Sequence, residues 1–238
     1  MHLYVESSRC ATKVLTCLQR DWKVARLAGS CSAIATDPKH YNEIRNQWLL
    51  PMPLITKNPT SEALSSKAPD SLEAWIENPV EGTEWVDGQL IEKTGMTLTH
   101  SKVQRRLSTV WANYQSEQKL GGEVYTEAPC TTKKQGRKPD VAYLTQALLK
   151  QYGEPGTLPQ SFPLSAEIVS QTDYAEDVYD KADEYLASGG KEVWLVFPES
   201  QRVVVVTEES EQTFKLGEIA KTQLVLPGFE ISVDELLS

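Results

Sequence analysis

The sequence predicts an α/β domain in which helices flank a mixed central β-sheet. Between residues 71 and 238, helix and strand patterns follow one another in the order helix, three strands, helix, strands, which is typical of a single α/β domain. The chain has 238 residues, of which 40% are hydrophobic and 24% are charged, so it can bury a sizeable core. It has no run of about 18 apolar residues, and we therefore expect no membrane span.

The first elements are a short helix, a hairpin and a long helix. Ser71 is a good N-cap for the short helix. Asp87-Gly88 stands between two apolar pairs and predicts the hairpin, because both turn residues need a positive φ. Thr97 or Thr99 can cap the long amphipathic helix, which has about five turns and ends at a Gly-Gly pair. Its apolar stripe consists of Val103, Leu107, Val110, Trp111 and Tyr114.

Strands and helices then alternate to the end of the chain. Pro129 breaks the first of these strands, and a loop rich in Gly and Pro precedes the third. Asp173 is predicted to cap the later helix. We expect strands at residues 123–131, 139–144, 164–170, 192–197 and 202–207, and helices at residues 176–188 and 233–237.

The beginning of the chain differs in composition from the rest. Residues 1–51 carry seven basic and four acidic side chains, a net charge of +3, whereas the whole chain has a net charge of −9. Ser, Thr, Lys and Pro dominate residues 57–69, which is a linker composition. We expect residues 1–51 to be a loosely held extension ahead of a natural start at Met52, or else a small helical appendage. Residues 52–70 would then be a linker, and residues 71–238 the working domain.

The cysteines indicate the cellular compartment. Cys10, Cys17, Cys31 and Cys130 match no zinc-binding spacing, and three of the four lie within the first 31 residues. A disulfide framework for the whole chain is therefore implausible. Reduced thiols predict a cytoplasmic protein.

Two acidic residues stand out in the predicted sheet. Alternation along residues 164–170 places Glu167 on one face with Ser165 and Val169, and a carboxylate within an apolar strand is expensive unless it is paired or binds a metal. Asp140 opens the preceding strand, so the two carboxylates could share one cation. Oxygen ligands suit Mg²⁺ or Mn²⁺, which can activate water and stabilise charge on a phosphodiester. The alternative is a structural acid that a backbone amide or an arginine satisfies.

The helix predicted at residues 176–188 adds one basic residue to this face of the sheet. Lys181 is the only basic residue of that helix and lies at the edge of its buried stripe, so its stem can run toward the sheet. There it could orient an attacking water or a phosphate oxygen. The alternative is a surface pair with Asp177 at i,i+4 spacing.

These motifs, in this order, resemble the Uma-two family of restriction-endonuclease-like proteins in the PD-(D/E)xK superfamily. The resemblance covers about residues 71–238, and residues 1–51 have no counterpart. It rests on the hairpin at residues 84–91, His100, Pro139-Asp140-Val141-Ala142, Ala166-Glu167-Ile168-Val169-Ser170, Asp177-x-x-x-Lys181-x-x-x-Tyr185, the run from Gly190 to Val196, and Leu226-Pro227-Gly228-Phe229.

The resemblance implies a restriction-endonuclease-like fold and metal-dependent hydrolysis of DNA, with Asp140 and Glu167 as metal ligands. The superfamily lysine two residues after the glutamate is replaced here by Val169, so the resemblance makes Lys181 its substitute. Restriction-like nucleases often cut two strands as dimers, and the resemblance is therefore compatible with a homodimer.

The resemblance also adds two residues to the candidate catalytic set. Glu84 would be a third acid in the cleft, or simply a solvated acid of the hairpin. His100 would lie near the metal or polarise a phosphate, or else be a capping or core histidine.

A basic segment leads into Asp140. Residues 96–140 carry eight basic and four acidic side chains, a net charge of +4 in an otherwise acidic chain. Phosphates could contact Lys133, Lys134, Arg137 and Lys138, or these residues could form a solvated turn. The net charge of −9 argues against a protein that coats nucleic acid non-specifically, but it does not exclude a nuclease with acids that hold metal.

The sequence therefore predicts an endonuclease that depends on Mg²⁺ or Mn²⁺ and acts on DNA. One alternative is a nuclease-like fold that binds nucleic acid or protein without cutting. Another is an unrelated α/β domain whose acids are structural.

Overall fold

The computed structural model describes residues 68–238. The expectations for the extension at residues 1–51, for a start at Met52 and for most of the linker fall outside these residues. The helices are α1 (Leu72–Glu77), α2 (Leu98–Glu117), α3 (Gln146–Tyr152), α4 (Ala175–Leu186) and α5 (Val233–Leu237). The strands are β1 (Thr83–Val86), β2 (Gln89–Glu92), β3 (Glu123–Thr126), β4 (Cys130–Thr131), β5 (Gly136–Arg137), β6 (Val141–Leu144), β7 (Leu164–Ile168), β8 (Glu192–Phe197), β9 (Arg202–Thr207), β10 (Glu211–Lys215), β11 (Ile219–Lys221) and β12 (Glu230–Ser232).

The central sheet has six strands in the order β10-β9-β8-β7-β6-β3. Strands β7 and β8 are parallel, and their other neighbours in this sheet are antiparallel, so the sheet is mixed as predicted. A parallel pair needs a crossover connection, which here contains α4. Val141 of β6 pairs with Ala166 of β7. Extending this register by one residue places Asp140 opposite Glu167.

The two faces of the central sheet bury different helices. On one face, Leu164, Ala166 and Ile168 pack in a cluster with residues of α2 and α5. On the other face, residues of α4 pack against strands β6, β8 and β9. The period-2 alternation predicted for residues 164–168 is therefore confirmed, and it places Glu167 on the face that α4 covers.

A second sheet, in the order β2-β1-β5-β4, lies at the edge of the candidate site. The predicted hairpin is confirmed: Val86 pairs with Gln89 across a two-residue turn whose φ angles are 50° at Asp87 and 79° at Gly88. Gly136 of β5 lies against Trp75 of α1, and a Cβ atom there would come within 2.3 Å of the indole ring. Gly136 also pairs with Trp85, so β5 lies beside β1.

Of the N-caps predicted for α2 and α4, one is confirmed and one is wrong. Thr97 is the N-cap of α2, because its side chain accepts a hydrogen bond from the His100 amide. The prediction that Asp173 caps α4 is wrong. Asp173 accepts a hydrogen bond from the Ser170 amide instead, and Tyr174 holds the N-cap position without a side-chain cap.

Several short elements escaped the sequence analysis. Helix α3 begins after the N-cap Thr145 and ends at Gly153, but its seven residues are too few for a clear helical period. Strands β10, β11 and β12 were not predicted either, and the last two have only three residues each. The predicted break at Pro129 is confirmed, because β3 ends at Thr126 and β4 begins at Cys130.

Two further expectations concern chemistry and location. Cys130 is a free, buried thiol, and the other three cysteines lie outside the described residues. Within residues 68–238, no helix combines the length and the apolar composition that crossing a bilayer requires.

Candidate active site

The five candidate catalytic residues line one cleft of about 640 Å³. Glu167 comes from β7, Asp140 immediately precedes β6, Lys181 comes from α4, His100 from the first turn of α2, and Glu84 from β1. The structure therefore brings together residues that lie up to 97 positions apart in the sequence. The exposed fraction is below 10% for each of the other four candidates besides Lys181, which are Glu84, His100, Asp140 and Glu167.

Asp140 is held by one backbone and two side-chain donors. Its Oδ2 accepts a hydrogen bond of 2.7 Å from the Ile168 amide and lies 3.1 Å from His100 Nε2. Its Oδ1 accepts a hydrogen bond of 2.9 Å from Lys93 Nζ. Burial alone would raise the pKa of Asp140, but the His100 hydrogen bond and the Lys93 charge outweigh it and lower this pKa. Asp140 is therefore ionised, and the proton of His100 lies on Nε2.

Glu167 lies in β7 and is held by two residues of α4. Tyr185 donates its hydroxyl to Glu167 Oε1 at 2.7 Å, and Lys181 Nζ lies 3.0 Å from Oε2. Burial raises the pKa of Glu167 to about 7; the Lys181 charge opposes this rise and the Asp140 charge adds to it. The effect of burial on Glu167 thus outweighs the nearby positive charge of Lys181.

Lys181 bridges two carboxylates on different sheets. Its Nζ lies 2.9 Å from Glu84 Oε1 and 3.0 Å from Glu167 Oε2. Burial lowers the pKa of Lys181, but the charges of Glu167 and Glu84 reverse this effect and raise it. The lysine is charged and faces the sheet, where it contacts Glu84 and Glu167, and its catalytic role stays a prediction.

Glu84 is a buried acid rather than a solvated one. It accepts hydrogen bonds from the Lys138 amide at 2.9 Å and from Arg137 Nη1 at 3.2 Å. Burial opposes its ionisation, but Lys181, Lys93 and Arg137 together lower its pKa to about 2. Glu84 therefore helps to keep Lys181 charged and in place.

The four basic residues before Asp140 do not share one surface. Lys133 and Lys134 are exposed. Arg137 contacts two carboxylates, Glu84 and Glu184, and its Nη2 lies 2.6 Å from Glu184 Oε2. Lys138 is buried; its Nζ donates to a backbone carbonyl and lies 5.6 Å from the centroid of the Trp75 ring. Contact with phosphates stays a prediction for all four, but the side chains of Arg137 and Lys138 already have partners in the protein.

Sequence reasoning missed three residues of the cleft region. Lys93 Nζ binds Glu127 Oε2 at 2.6 Å as well as Asp140. Gln104 donates its side-chain amide to Glu127 Oε1 at 3.0 Å and to the Asp140 carbonyl at 2.9 Å. Gln104 lies one helical turn after His100, so helical spacing could have found it. Lys93 and Glu127 carry no such signal, because they follow the ends of strands.

The donor set fits a divalent cation held by few protein ligands. Among residues 68–238, no three His, Cys, Asp or Glu side chains are grouped as a complete metal cage. Asp140 Oδ1 and both oxygens of Glu167 each accept one hydrogen bond, which leaves each a lone pair. Mg²⁺ commonly uses one or two carboxylates and keeps several waters. His100 Nδ1 is buried without a hydrogen-bond partner, so this nitrogen beside Asp140 can still take part in one hydrogen bond.

The charges of the cluster also leave room for a cation. Its permanent cations are Lys93, Arg137 and Lys181, whereas its carboxylates are Glu84, Glu127, Asp140, Glu167 and Glu184. With a neutral histidine and ionised acids, three positive and five negative charges give a net charge of −2. Burial raises the pKa of Glu127, as it does that of Glu167, and the negative charge of Asp140 adds to both rises.

Comparison with solved structures supports the fold. A crystal structure described as a putative nuclease belonging to DUF820 from Anabaena variabilis ATCC 29413 matches with a TM-score of 0.63 and 19% identity. The match covers 71% of this chain and 98% of that one. A DrdV–DNA complex solved by cryoEM matches with a TM-score of 0.32 and 18% identity, over 48% of this chain and 10% of that one. No curated protein matches the chain.

The family of the chain follows from its sequence. The Uma2 family, described as "Putative restriction endonuclease", matches residues 69–234. These residues include every candidate catalytic residue and all of the central sheet. The resemblance and the fold class predicted from the sequence motifs are confirmed, and an unrelated α/β domain is excluded. Since the match covers most of the chain, the protein belongs to the Uma2 family.

Proposed function

We propose that this protein is a divalent-metal-dependent endonuclease that hydrolyses phosphodiester bonds of DNA. The family and the fold support a nuclease-like function. The observation that carries the metal-dependent reaction is the meeting of Asp140, Glu167 and Lys181, in which Lys181 Nζ lies 3.0 Å from Glu167 Oε2. Two carboxylates can hold a divalent ion that activates water and stabilises phosphate charge, and a lysine can add a donor to the phosphate.

Asp140 and Glu167 would hold the metal, which we expect to be Mg²⁺ or Mn²⁺. Asp140 would bind through Oδ1, because Oδ2 already accepts from Ile168 and His100. When bound, such an ion polarises the phosphate and lowers the pKa of a bound water. The Ile168 amide and His100 fix the orientation of the Asp140 carboxylate, and Tyr185 fixes that of Glu167.

Lys181 would act on the substrate directly. An ammonium group has three N–H donors; Lys181 donates one of them to Glu167, and its charge also forms an ion pair with Glu84. A donor is therefore left to bind a phosphate oxygen or the attacking water in the cleft. Glu84 thus anchors the lysine rather than acting as a metal ligand. The exposed Lys133 and Lys134 would add phosphate contacts that position the DNA without reading its sequence.

A second candidate function is DNA or protein binding without cleavage. It is favoured by one observation: Asp140 and Glu167 each already contact a lysine ammonium, at 2.9 and 3.0 Å. Buried acids that are paired in this way can persist for structural reasons alone. A nuclease-like fold that had lost its reaction could therefore keep the same contacts.

Plasmid cleavage separates the two functions. Purified wild-type protein is incubated with supercoiled plasmid and Mg²⁺ or Mn²⁺, beside the variants Asp140→Asn and Glu167→Gln. Glu208→Gln, an exposed acid at the end of β9, is the matched control. We expect nicking or linearisation by the wild type and the control, and none by the two site variants. Equal cleavage by all four proteins, or none by any, would contradict the proposal.

The same reactions bear on two further expectations. Binding of DNA without cleavage, measured by fluorescence anisotropy, would support the second function. A homodimer is a prediction, and sedimentation velocity with and without DNA tests it. Direct linearisation of plasmid would require two sites to act together, whereas one site gives nicked circles first.

A further inference from the structure

Lys93 occupies a small cage of oxygen atoms beside Asp140. Its Nζ lies 2.6 Å from Glu127 Oε2, 2.8 Å from the Lys138 carbonyl and 2.9 Å from Asp140 Oδ1. The side chain is 16% exposed. All three N–H donors of the ammonium are therefore used. Unlike Lys181, Lys93 has no donor left for a substrate, so its role is directed at the protein.

The cage is formed by oxygen atoms of the kind that hard cations bind. Two carboxylate oxygens and one backbone carbonyl are typical ligands of Mg²⁺, Mn²⁺ or Ca²⁺. The surrounding residues fix these atoms in place, because Gln104 donates one amide group to both Glu127 Oε1 and the Asp140 carbonyl. Glu127 itself has a φ of 53°, a left-handed conformation that is strained for a non-glycine residue.

Asp140 Oδ1 connects the cage to the proposed metal site. This oxygen accepts from Lys93 and retains the lone pair that we assigned to the divalent ion. A carboxylate that bridges two neighbouring cations is a feature of two-metal nuclease sites, where the ions are about 3.5–4 Å apart. In this protein the cation that contacts Asp140 Oδ1 is the ammonium group of Lys93.

We propose that Lys93 is a built-in cation that fills the second cation position of this site, so that the protein takes one divalent ion instead of two. The inference rests on the proposed function, because the first ion is the one assigned to Asp140 and Glu167. Lys93 acts as a positioning residue: it holds Asp140 and Glu127 in the arrangement that a second metal would otherwise impose.

An ordinary structural ion pair would make the same contacts, but it responds differently to substitution. Lys93→Ala leaves a polar gap lined by the three oxygens of the cage, which a divalent ion can enter. Lys93→Met fills that gap with an apolar chain of similar length. Lys102→Ala removes an exposed lysine of α2 and serves as the control.

The experiment counts Mn²⁺ ions bound per full-length chain, by isothermal titration calorimetry and by electron paramagnetic resonance. We expect one ion for the wild type, for Lys93→Met and for Lys102→Ala, and two ions for Lys93→Ala. The two ions of Lys93→Ala should give a dipole-coupled Mn²⁺ spectrum, because they share Asp140 Oδ1. Adding Glu127→Gln to Lys93→Ala should reduce the count to one again.

The outcomes test the two proposals separately. A wild-type count of zero would contradict the metal site of the proposed function, whereas an equal count for Lys93→Ala and the wild type would overturn the inference. Two ions in the wild type would overturn it as well. If Lys93→Ala fails to fold without metal, we expect millimolar Mn²⁺ to restore its folded circular dichroism spectrum, and failure to do so would also overturn the inference.

Discussion

Lys181 Nζ lies 3.0 Å from Glu167 Oε2, although Glu167 belongs to a strand and Lys181 to the helix that follows it. The parallel pairing of β7 and β8 explains this contact, because α4 must cross the face of the sheet that Glu167 shares. Val169 stands where a strand lysine would lie, and the crossover helix supplies the ammonium instead. The same side of α4 provides the hydroxyl of Tyr185 to Glu167.

Removing the Lys181 ammonium should abolish cleavage. We expect Lys181→Met to lower the rate of plasmid cleavage by about 100-fold or more, the usual cost of losing one preorganised charged donor. The variant should also be destabilised by up to about 3 kcal/mol, because Glu84 and Glu167 lose their shared partner. Cleavage time courses and urea unfolding measure the two effects.

Lys181→Arg is the matched variant for this test. It keeps the positive charge, so we expect most of the stability to be retained while cleavage falls, since a guanidinium is larger and binds with a different geometry. Wild-type cleavage by Lys181→Met would remove Lys181 from the mechanism. If Lys181→Met and Lys181→Arg lose the same free energy of unfolding, the positive charge of Lys181 is not what stabilises its contacts with Glu84 and Glu167.

The stability of the metal-free protein should fall as the pH rises from 5.5 to 8. The pKa of Glu167 is raised from 4.5 to about 7 in the folded state, so over this range the folded state binds more protons than the unfolded one. His100 acts in the same direction, because its pKa is raised above 6.5 and its stabilisation is lost as the pH passes the folded value. Asp140 and Glu84 have lowered pKa values, and their contributions change only at lower pH.

We expect the free energy of unfolding to fall by roughly 1–3 kcal/mol across this range, since one pKa unit corresponds to about 1.4 kcal/mol. Urea unfolding in the presence of EDTA measures it. Glu167→Gln should flatten the pH dependence, because its side chain no longer titrates. Glu208→Gln should keep the wild-type slope. A stability that rises between pH 5.5 and 8 in the wild type would contradict the raised pKa of Glu167.

Much of the site follows from local sequence patterns. Strand alternation placed Glu167 on the face opposite Ala166, and the adjacent strand placed Asp140 beside it. The helical stripe placed Lys181 at an inward edge, and the Asp87-Gly88 turn fixed the hairpin that carries Glu84. Each inference used a period or a turn rule that tertiary packing did not override.

Other parts depend on tertiary contacts that have no local pattern. Lys93 follows the last residue of β2, and Glu127 lies between β3 and β4 with a φ of 53°, so no period predicts where either side chain points. A run of basic residues does not show which of them turn inward. Arg137 turns inward to Glu84 and Glu184, and it lies in β5, which pairs with the strand that carries Glu84.

Tyr185 should support Glu167 without being essential to the reaction. Tyr185→Phe removes the hydroxyl that donates to Glu167 Oε1 at 2.7 Å, while it keeps the buried ring. We expect a loss of about 1 kcal/mol in stability and roughly tenfold slower cleavage, because Glu167 loses one of its two orienting donors. Tyr152→Phe, in α3, is the control for loss of a hydroxyl outside the cleft. Unchanged cleavage by Tyr185→Phe would show that Lys181 alone orients Glu167.

Lys133 and Lys134 should contribute to DNA binding, whereas Arg137 should contribute to the stability of the fold. Replacing Lys133 and Lys134 with Gln should weaken DNA binding at every sequence and lower the slope of log affinity against log salt by about 2, because two phosphate contacts are lost. The free energy of unfolding should stay within about 0.5 kcal/mol of the wild-type value, since both side chains are exposed. Fluorescence anisotropy at several salt concentrations and urea unfolding measure these effects, with Lys150→Gln as the exposed control.

Arg137→Gln should behave in the opposite way. Its guanidinium lies 3.2 Å from Glu84 Oε2 and 2.6 Å from Glu184 Oε2, so its loss removes one cationic partner from each of two carboxylates and destabilises the fold by about 2–4 kcal/mol. The salt dependence of DNA binding should hardly change, because Glu84 and Glu184 already hold the guanidinium of Arg137. If Arg137→Gln instead lowers the salt slope while the stability is unchanged, the arginine leaves its carboxylates to bind DNA, and the cleft must rearrange when DNA binds.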